Sequence, residues 1–228
     1  QVLTGKSPSM LTSQVERVEL LKHFAEVHVL NFEKVQHLTA EQFMQYLYYE
    51  EDVQVLLMGY DHRFGSDGIK GFSEYVKIAK RVGMRVERAH ECVVDSLPVS
   101  STRIRKLLNV GKIEEVNRLL GYKYSLSGLG NQIGFPTANI AFETNKQLPM
   151  AGVYSAHALI DNQEFSAIVN IGNNPTIGNS RITVETHVLN FEGNLYGRLL
   201  TVQFQRFLRP EQQFSSLKEL QLQIKKDL

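Results

Sequence analysis

The sequence predicts a chain in two parts: an N-terminal α/β part on a doubly wound parallel sheet, then an antiparallel β-barrel closed by a terminal helix. Three observations predict it. Helix and strand signals alternate through the first half. Residues 53–58 form a dense apolar run of the kind a parallel sheet covers on both faces. After Gly121, short β-rich runs follow one another with turn residues between them and no intervening helix. The 228 residues allow two domains, at roughly 100–150 residues for a typical one. The change of pattern places the boundary at 121/122.

Taken in order, Ser13 and Glu16 have capping-box spacing, and the apolar positions Val15, Val18, Leu20, Leu21 and Phe24 around and after them mark a first helix. Val27, Val29 and Leu30 read as a short buried strand. Thr39 and Gln42 repeat the capping-box spacing ahead of Phe43, Tyr46 and Leu47, a second helix. Beyond the apolar run and Gly59, residues 71–82 read as a helix and 84–94 as extended chain. Residues 100–108 and 112–120 read as two further helices, broken by Gly111. Residues 152–160, 165–171, 182–190 and 199–207 are the barrel's strand signals. Residues 214–228 end the chain as a helix, with Ser216 and Glu219 at capping-box spacing and Leu217, Leu220 and Ile224 on one face.

Composition narrows the function classes. Lys and Arg total 25 against 24 Asp and Glu, so no basic surplus marks nucleic acid or an anionic lipid surface as a partner. An apolar share of 43% argues against a disordered chain. No apolar run approaches the ~20 residues of a membrane span. The single cysteine, Cys92, can close no internal disulfide, which suits a reducing compartment. The expectation is a cytoplasmic protein with no nucleic-acid, membrane or obligate protein partner. The chain opens on Gln1 rather than Met, so it reads as processed, cut or lacking its first residues.

Four segments carry candidate chemistry, each beside a plainer reading. Gly59-Tyr60-Asp61-His62-Arg63-Phe64-Gly65 follows the strongest strand, where open α/β sheets bind ligands; the plainer reading is a strand-to-helix turn. Ser100-Ser101-Thr102-Arg103-Ile104-Arg105 sets hydroxyls, free backbone N–H groups and arginines at a helix start, an anion site. The plainer reading there is an N-cap with solvated arginines, although arginine in a first turn opposes the helix dipole. In Gly134-Phe135-Pro136-Thr137-Ala138-Asn139-Ile140, Thr137 and Asn139 point the same way on an extended segment, and two neutral oxygens suit a Mg²⁺ that keeps its waters and a nucleotide's phosphates. A turn leading into a strand is the alternative. By alternation Glu185, His187 and Leu189 share one face and Val184, Thr186 and Val188 the other. Glu185 is either a plain exposed strand residue or a carboxylate placed to take a proton from an alcohol.

Together these segments resemble the bacterial bifunctional riboflavin kinase/FMN adenylyltransferase family, also called FAD synthetase. Residues 59–65 match its glycine-x-Asp/Asn-x-Arg-Phe-Gly loop, residues 99–105 its Ser-Ser-Thr-x-Ile-Arg signature and residues 134–139 its Gly-Phe-Pro-Thr-Ala-Asn motif. Asn170-Ile171-Gly172, Pro175-Thr176, Glu185, Tyr196-Gly197 and Phe207-Leu208-Arg209-Pro210-Glu211 continue the kinase module in order. The resemblance implies a Rossmann-like nucleotidyltransferase domain over residues 1–121, incomplete at its N-terminal side, and a riboflavin kinase domain over 122–228. It implies phosphorylation of riboflavin by Mg²⁺–ATP, with Thr137 and Asn139 helping to bind the metal and nucleotide, Glu185 as base for the 5′-hydroxyl and Arg209 by the flavin. For the first half it implies conversion of FMN and ATP to FAD and pyrophosphate, with Ser101, Thr102 and Arg105 on the ATP phosphates and Asp61 toward the flavin. The small-molecule partners implied are riboflavin, FMN, FAD and ATP.

Two features depart from that pattern. The adenylyltransferase's His-x-Gly-His pair is absent: the histidines are His23, His28, His37, His62, His90, His157 and His187. Only Leu129-Gly130-Asn131-Gln132-Ile133 separates Gly128 from Gly134, where the family has a longer glycine-rich phosphate loop. Three outcomes are therefore expected: synthesis of FMN and FAD, riboflavin kinase alone, or a non-catalytic flavin- or nucleotide-binding regulator. The presence of Thr137, Asn139 and Glu185 together argues against the last.

Overall fold

The computed structural model describes residues 9–134, 137–174 and 181–212. Phe135-Pro136, Pro175-Thr176 and the expected terminal helix over 214–228 lie outside these residues. The chain divides into two compact units, Val27–Val99 and the combination of Gln1–Glu26 with Ser100–Leu228.

The chain enters the second of these through α1 (Gln14–Lys22), capped as the spacing predicts. Ser13 Oγ accepts from the Glu16 N–H at 3.1 Å, and the Glu16 carboxylate accepts from the Ser13 N–H at 2.8 Å. The Val27–Val99 unit then holds α2 (Phe32–Val35), α3 (Ala40–Tyr49), β1 (Val55–Met58), α4 (Phe72–Val82), β2 (Arg85–Arg88) and a small hairpin of β3 (Val93–Val94) and β4 (Leu97–Pro98). Thr39 and Gln42 cap α3 reciprocally. β1 and β2 pair in parallel, Val55 opposite Arg85 and Met58 opposite Arg88. Met44 and Leu47 of α3 and Tyr75, Ile78 and Val82 of α4 pack with Leu56, Met58 and Met84 in one core. At about 1.5–3 kcal/mol for each large apolar side chain fully buried, this core is the unit's main source of stability.

Two expectations change here. Residues 27–30 form no strand, and Val29 is 59% exposed. The apolar run at β1 is covered on one face only: Leu56 and Met58 meet the helices, while Leu57 is 66% exposed. Density of apolar residues is a property of the run itself; a second covering layer has to come from elsewhere in the chain, and α3 and α4 both lie on the same core.

The other unit continues with α5 (Ser101–Leu108), α6 (Ile113–Leu120) and six strands: β5 (Ser125–Gly134), β6 (Thr137–Ala141), β7 (Gly152–Ile160), β8 (Gln163–Asn174), β9 (Arg181–Val188) and β10 (Leu199–Arg209). They close an antiparallel barrel in the order β10-β5-β6-β9-β8-β7. The sequence shows no alternating signal for β5, because glycines stand where the chains come closest. A Cβ on Gly128 would run into the Ala141 carbonyl and one on Gly130 into the Leu195 carbonyl. Ala138, Thr186 and Val169 stand in one cross-strand row, each at most 2% exposed, and fill the interior.

The compact units part at 26/27 and 99/100, a different division from the 121/122 boundary at which the sequence changes pattern. The apolar face of α6 explains the difference. Ile113, Val116 and Leu119 are buried, and Asn117 ties the helix to the barrel. Its Nδ2 donates to the Phe204 carbonyl at 2.8 Å and its Oδ1 accepts from the Tyr124 N–H at 2.7 Å.

Candidate functional site

The alternation in β9 is resolved by the barrel. Val184, Thr186 and Val188 point inward and are fully buried, whereas Glu185 and His187 lie half-buried on the outer face. There the antiparallel register sets three polar residues in one row across β6, β9 and β8: Asn139 opposite Glu185, and Glu185 opposite Asn170. Thr137 stands opposite His187 one step along. The structure thus brings together Thr137, Asn139 and Glu185, with Asn170 and His187 beside them.

The electrostatics of the row are unusual for a strand surface. Burial, and after it the negative charge of Glu211, holds the Glu185 carboxyl above its ordinary value. Burial holds the His187 imidazole below its ordinary value, so the ring is neutral at neutral pH. Thr137 Oγ1 lies 3.3 Å from His187 Nδ1, which can accept a hydrogen bond from the hydroxyl and leave the oxygen's lone pairs for a ligand. Among the described residues, Asn139 Oδ1 and Asn170 Oδ1 are buried without a hydrogen-bond partner. Buried oxygens left in that state cost about 1–3 kcal/mol each unless a ligand completes them.

Beside this row a cavity of about 750 Å³ is lined by Asn131, Asn139, Lys146, Gln147 and Thr183, among others. That is the size of an ordinary small-molecule site. Lys146 is not available there as a free charge. Its ammonium is buried against Glu16, donates to the Leu11 carbonyl at 2.7 Å and lies 4.6 Å from the centre of the Tyr124 ring. Glu16 also accepts from the Ser127 N–H at 2.8 Å, so α1 is locked onto β5 behind the cavity wall. Arg209 ends β10 opposite Val153, and its guanidinium donates to the Pro210 carbonyl at 3.3 Å.

At the head of α5, Ser100 Oγ accepts from the Arg103 N–H at 3.2 Å, the plain capping arrangement. Ser101 and Thr102 are exposed in the first turn, and Arg105 Nε donates to the Ser9 carbonyl at 3.0 Å. Asp61 belongs to the Val27–Val99 unit, in the loop after β1. A cavity of about 260 Å³ is lined there by Gly59, Tyr60, Asp61, His62, Arg63, Phe72 and Arg88, with Gly71 and Tyr75. The loop is held in shape. Arg88 Nε donates to the Tyr60 carbonyl at 2.8 Å, and the Tyr75 hydroxyl accepts from the Phe64 N–H at 3.1 Å and donates to the Phe64 carbonyl at 2.8 Å. Asp61's charge is the largest cause raising the Tyr60 phenol above its ordinary value. Gly65 has φ +95°, and a Cβ there would overlap the backbone of Ala40.

Sequence reading assigned no role to Asn170, His187, Lys146 or Arg88. Asn170 and His187 stood in segments already singled out, so their signal was motif membership. Lys146 and Arg88 gave none, because their partners are remote in the chain.

Residues 120–228 match the riboflavin kinase family and residues 1–103 the FAD synthetase family. A bifunctional riboflavin kinase/FMN adenylyltransferase of Pseudomonas fluorescens is 35% identical over 205 residues, covering 86% of this chain and 66% of its own length. One from Haemophilus influenzae is 32% identical over 238 residues, covering 98% and 77%. The chain therefore spans 66% to 77% of the length of these relatives. A crystal structure described as a macrolide-efflux protein from Streptococcus pneumoniae superposes with a TM-score of 0.74 at 26% identity, over 95% of this chain and 73% of its own. Among the described residues here, no helix is long and apolar enough to cross a membrane.

Proposed function

Because the chain belongs to the bifunctional riboflavin kinase/FMN adenylyltransferase family, we propose that it phosphorylates riboflavin to FMN and adenylylates FMN to FAD, with ATP as co-substrate in both steps. The observation that carries the kinase reading is the outer row of the barrel, where a carboxylate with raised proton affinity stands between two asparagines whose buried oxygens have no partner among the described residues. In the kinase step the 5′-hydroxyl oxygen of riboflavin attacks the γ-phosphorus of ATP. The bond from that phosphorus to the β-phosphate oxygen breaks, ADP leaves and Glu185 takes the hydroxyl proton. A carboxylate is adequate because phosphoryl transfer runs through a loose transition state that asks mainly for positioning and charge neutralisation.

Thr137 and Asn139 fit a Mg²⁺ that keeps several waters and draws its negative ligands from the nucleotide. Both offer neutral oxygens, and among the described residues Asn139 Oδ1 is buried without a partner. When bound, the ion supplies charge neutralisation on the transferring phosphoryl group. Arg209 is assigned to the flavin side. For the adenylyl step, an oxygen of the FMN phosphate attacks the α-phosphorus of ATP and pyrophosphate leaves. Ser101, Thr102 and Arg105 are assigned to the ATP phosphates, where the exposed first turn of α5 offers hydroxyls and backbone N–H groups. Asp61 is assigned to the flavin side of the cavity after β1. The chemistry draws on ATP, and with the single cysteine this favours the cytoplasm.

Riboflavin kinase alone is the second reading. Incubation with riboflavin and Mg²⁺–ATP, followed by chromatography, separates the two. FMN and FAD together are expected. FMN alone establishes the second reading, and neither product overturns both.

A further inference from the structure

One carboxylate beside the outer row has no part in the steps above. Glu211 lies two residues beyond the end of β10 and reaches over β8, where its Oε1 accepts from Asn170 Nδ2 at 3.2 Å. Gly172, two residues along β8 from Asn170 and on the same face, makes room for it: a Cβ at Gly172 would overlap the Glu211 carboxylate. Glycine inside a strand weakens it and marks a close approach by another group.

We propose that Glu211 is a positioning residue for the kinase step: it holds the Asn170 amide so that Oδ1 is presented beside Glu185 to accept a hydroxyl of the flavin's sugar-alcohol chain. This rests on the riboflavin kinase reading. Hydrogen-bond sign fixes the orientation of the amide. An amide can offer either its NH₂ or its carbonyl by rotating about χ2, and a carboxylate only accepts. Glu211 therefore selects the NH₂ end, which leaves the carbonyl oxygen turned away from it, buried and without a partner among the described residues. The row then reads Asn139 Oδ1, Glu185, Asn170 Oδ1, acceptors throughout. With Asn139 Oδ1 assigned to the ion, Glu185 and Asn170 Oδ1 remain as neighbouring acceptors that fit two hydroxyl donors, and a polyol chain held by its neighbouring hydroxyl keeps its terminal hydroxyl aimed at the base. Glu211 also adds its charge to the burial that keeps Glu185 a stronger proton acceptor.

The test uses the whole chain with riboflavin and Mg²⁺–ATP, and three variants. Glu211→Ala removes the clamp. Glu211→Gln keeps a carbonyl for Asn170 Nδ2. Gly172→Ala displaces the carboxylate without altering it. Misplaced reacting groups cost up to about 100-fold, so Glu211→Ala is expected to lower kcat by roughly 10- to 100-fold with the KM for ATP unchanged. Glu211→Gln recovers only part of that loss, because a glutamine can accept from Asn170 Nδ2 but can also donate to its Oδ1; Gly172→Ala reproduces the loss, and adding Gly172→Ala to Glu211→Ala lowers kcat no further. Wild-type kcat in Glu211→Ala, equal losses in the Ala and Gln variants, or additive losses in the double variant would each overturn the inference. A loss accompanied by a matching fall in thermal midpoint also overturns it, as it marks a merely structural role. If the wild-type chain makes no FMN, the riboflavin kinase reading itself fails. That result is distinct from an active wild type with an equally active Glu211→Ala.

Discussion

Replacing Glu16 by alanine tests how α1 is held against the barrel. Glu16 is 4% exposed, and its carboxylate accepts from the N–H groups of Ser13 and Ser127, each at 2.8 Å, as well as from Lys146. Among the described residues, the substitution leaves the Lys146 ammonium with the Leu11 carbonyl, the face of Tyr124 and the more distant charge of Glu143, in a place where its side chain is 2% exposed. Removing one partner of a buried pair costs about 3–5 kcal/mol. Each N–H left unpaired adds about 1 kcal/mol, part of which water recovers at the start of α1. The expected loss is therefore about 4–6 kcal/mol, or a fall of roughly 8–24 °C in the melting of this unit. Burial already pulls the Lys146 pKa down, against the opposing pull of Glu16. Without Glu16 the folded-state value drops further below the unfolded one, the unfolded chain binds more protons, and stability rises with pH across that interval. The deficit of Glu16→Ala should therefore shrink in alkaline buffer, and adding Lys146→Met should restore part of it at neutral pH. Circular dichroism melts at two pH values measure all of this. A melt within about 3 °C of wild type at neutral pH refutes the reasoning, since it would mean that the pair does not hold α1 in place.

Other substitutions report on the sites. Glu185→Gln should lower kinase kcat by about 10²- to 10⁴-fold while riboflavin binding persists, and unchanged turnover rules Glu185 out as base. Because its folded pKa is raised, Glu185 favours the folded state fully below the ordinary carboxylate range, and that contribution is lost as pH climbs through the raised value. Glu185→Gln should therefore flatten the melting temperature across mildly acid pH, and an unchanged pH profile counts against the shift. Asn139→Ala should raise the Mg²⁺ concentration for half-maximal kinase rate about tenfold, read by metal titration; an unaltered titration removes Asn139 from the metal. Arg105→Ala should raise the KM for ATP about tenfold in adenylylation alone, and an equal loss in the kinase assay contradicts two separate nucleotide sites. Gly65→Ala combines a left-handed backbone with overlap on Ala40, so the Val27–Val99 unit should lose about 2–4 kcal/mol in denaturant melts; a neutral substitution would show that the loop can rearrange.

The sequence by itself determined what depends on near neighbours. The capping boxes at Ser13 and Thr39, the limits of α4, α5 and α6, and the strands β7 to β10 were all legible, because a cap or an alternation is complete within a few residues. Thr137, Asn139 and Glu185 were legible as candidates for the same reason, as members of short motifs. The face Glu185 points to was not, since alternation alone leaves inside and outside equivalent until a barrel closes. β5 was hidden because close backbone approach calls for glycine at 128 and 130, and glycine erases the apolar alternation by which strands are read. Residues 27–30 read as a strand from composition but find no partner strand among the described residues, and partners are supplied by the whole fold. Only the tertiary structure set Asn170 and Glu211 beside Glu185 and brought Glu16 to Lys146, 130 residues away in the chain. Those contacts are made by strand register and barrel closure, which bring together residues that leave no mark on each other's surroundings in the linear chain.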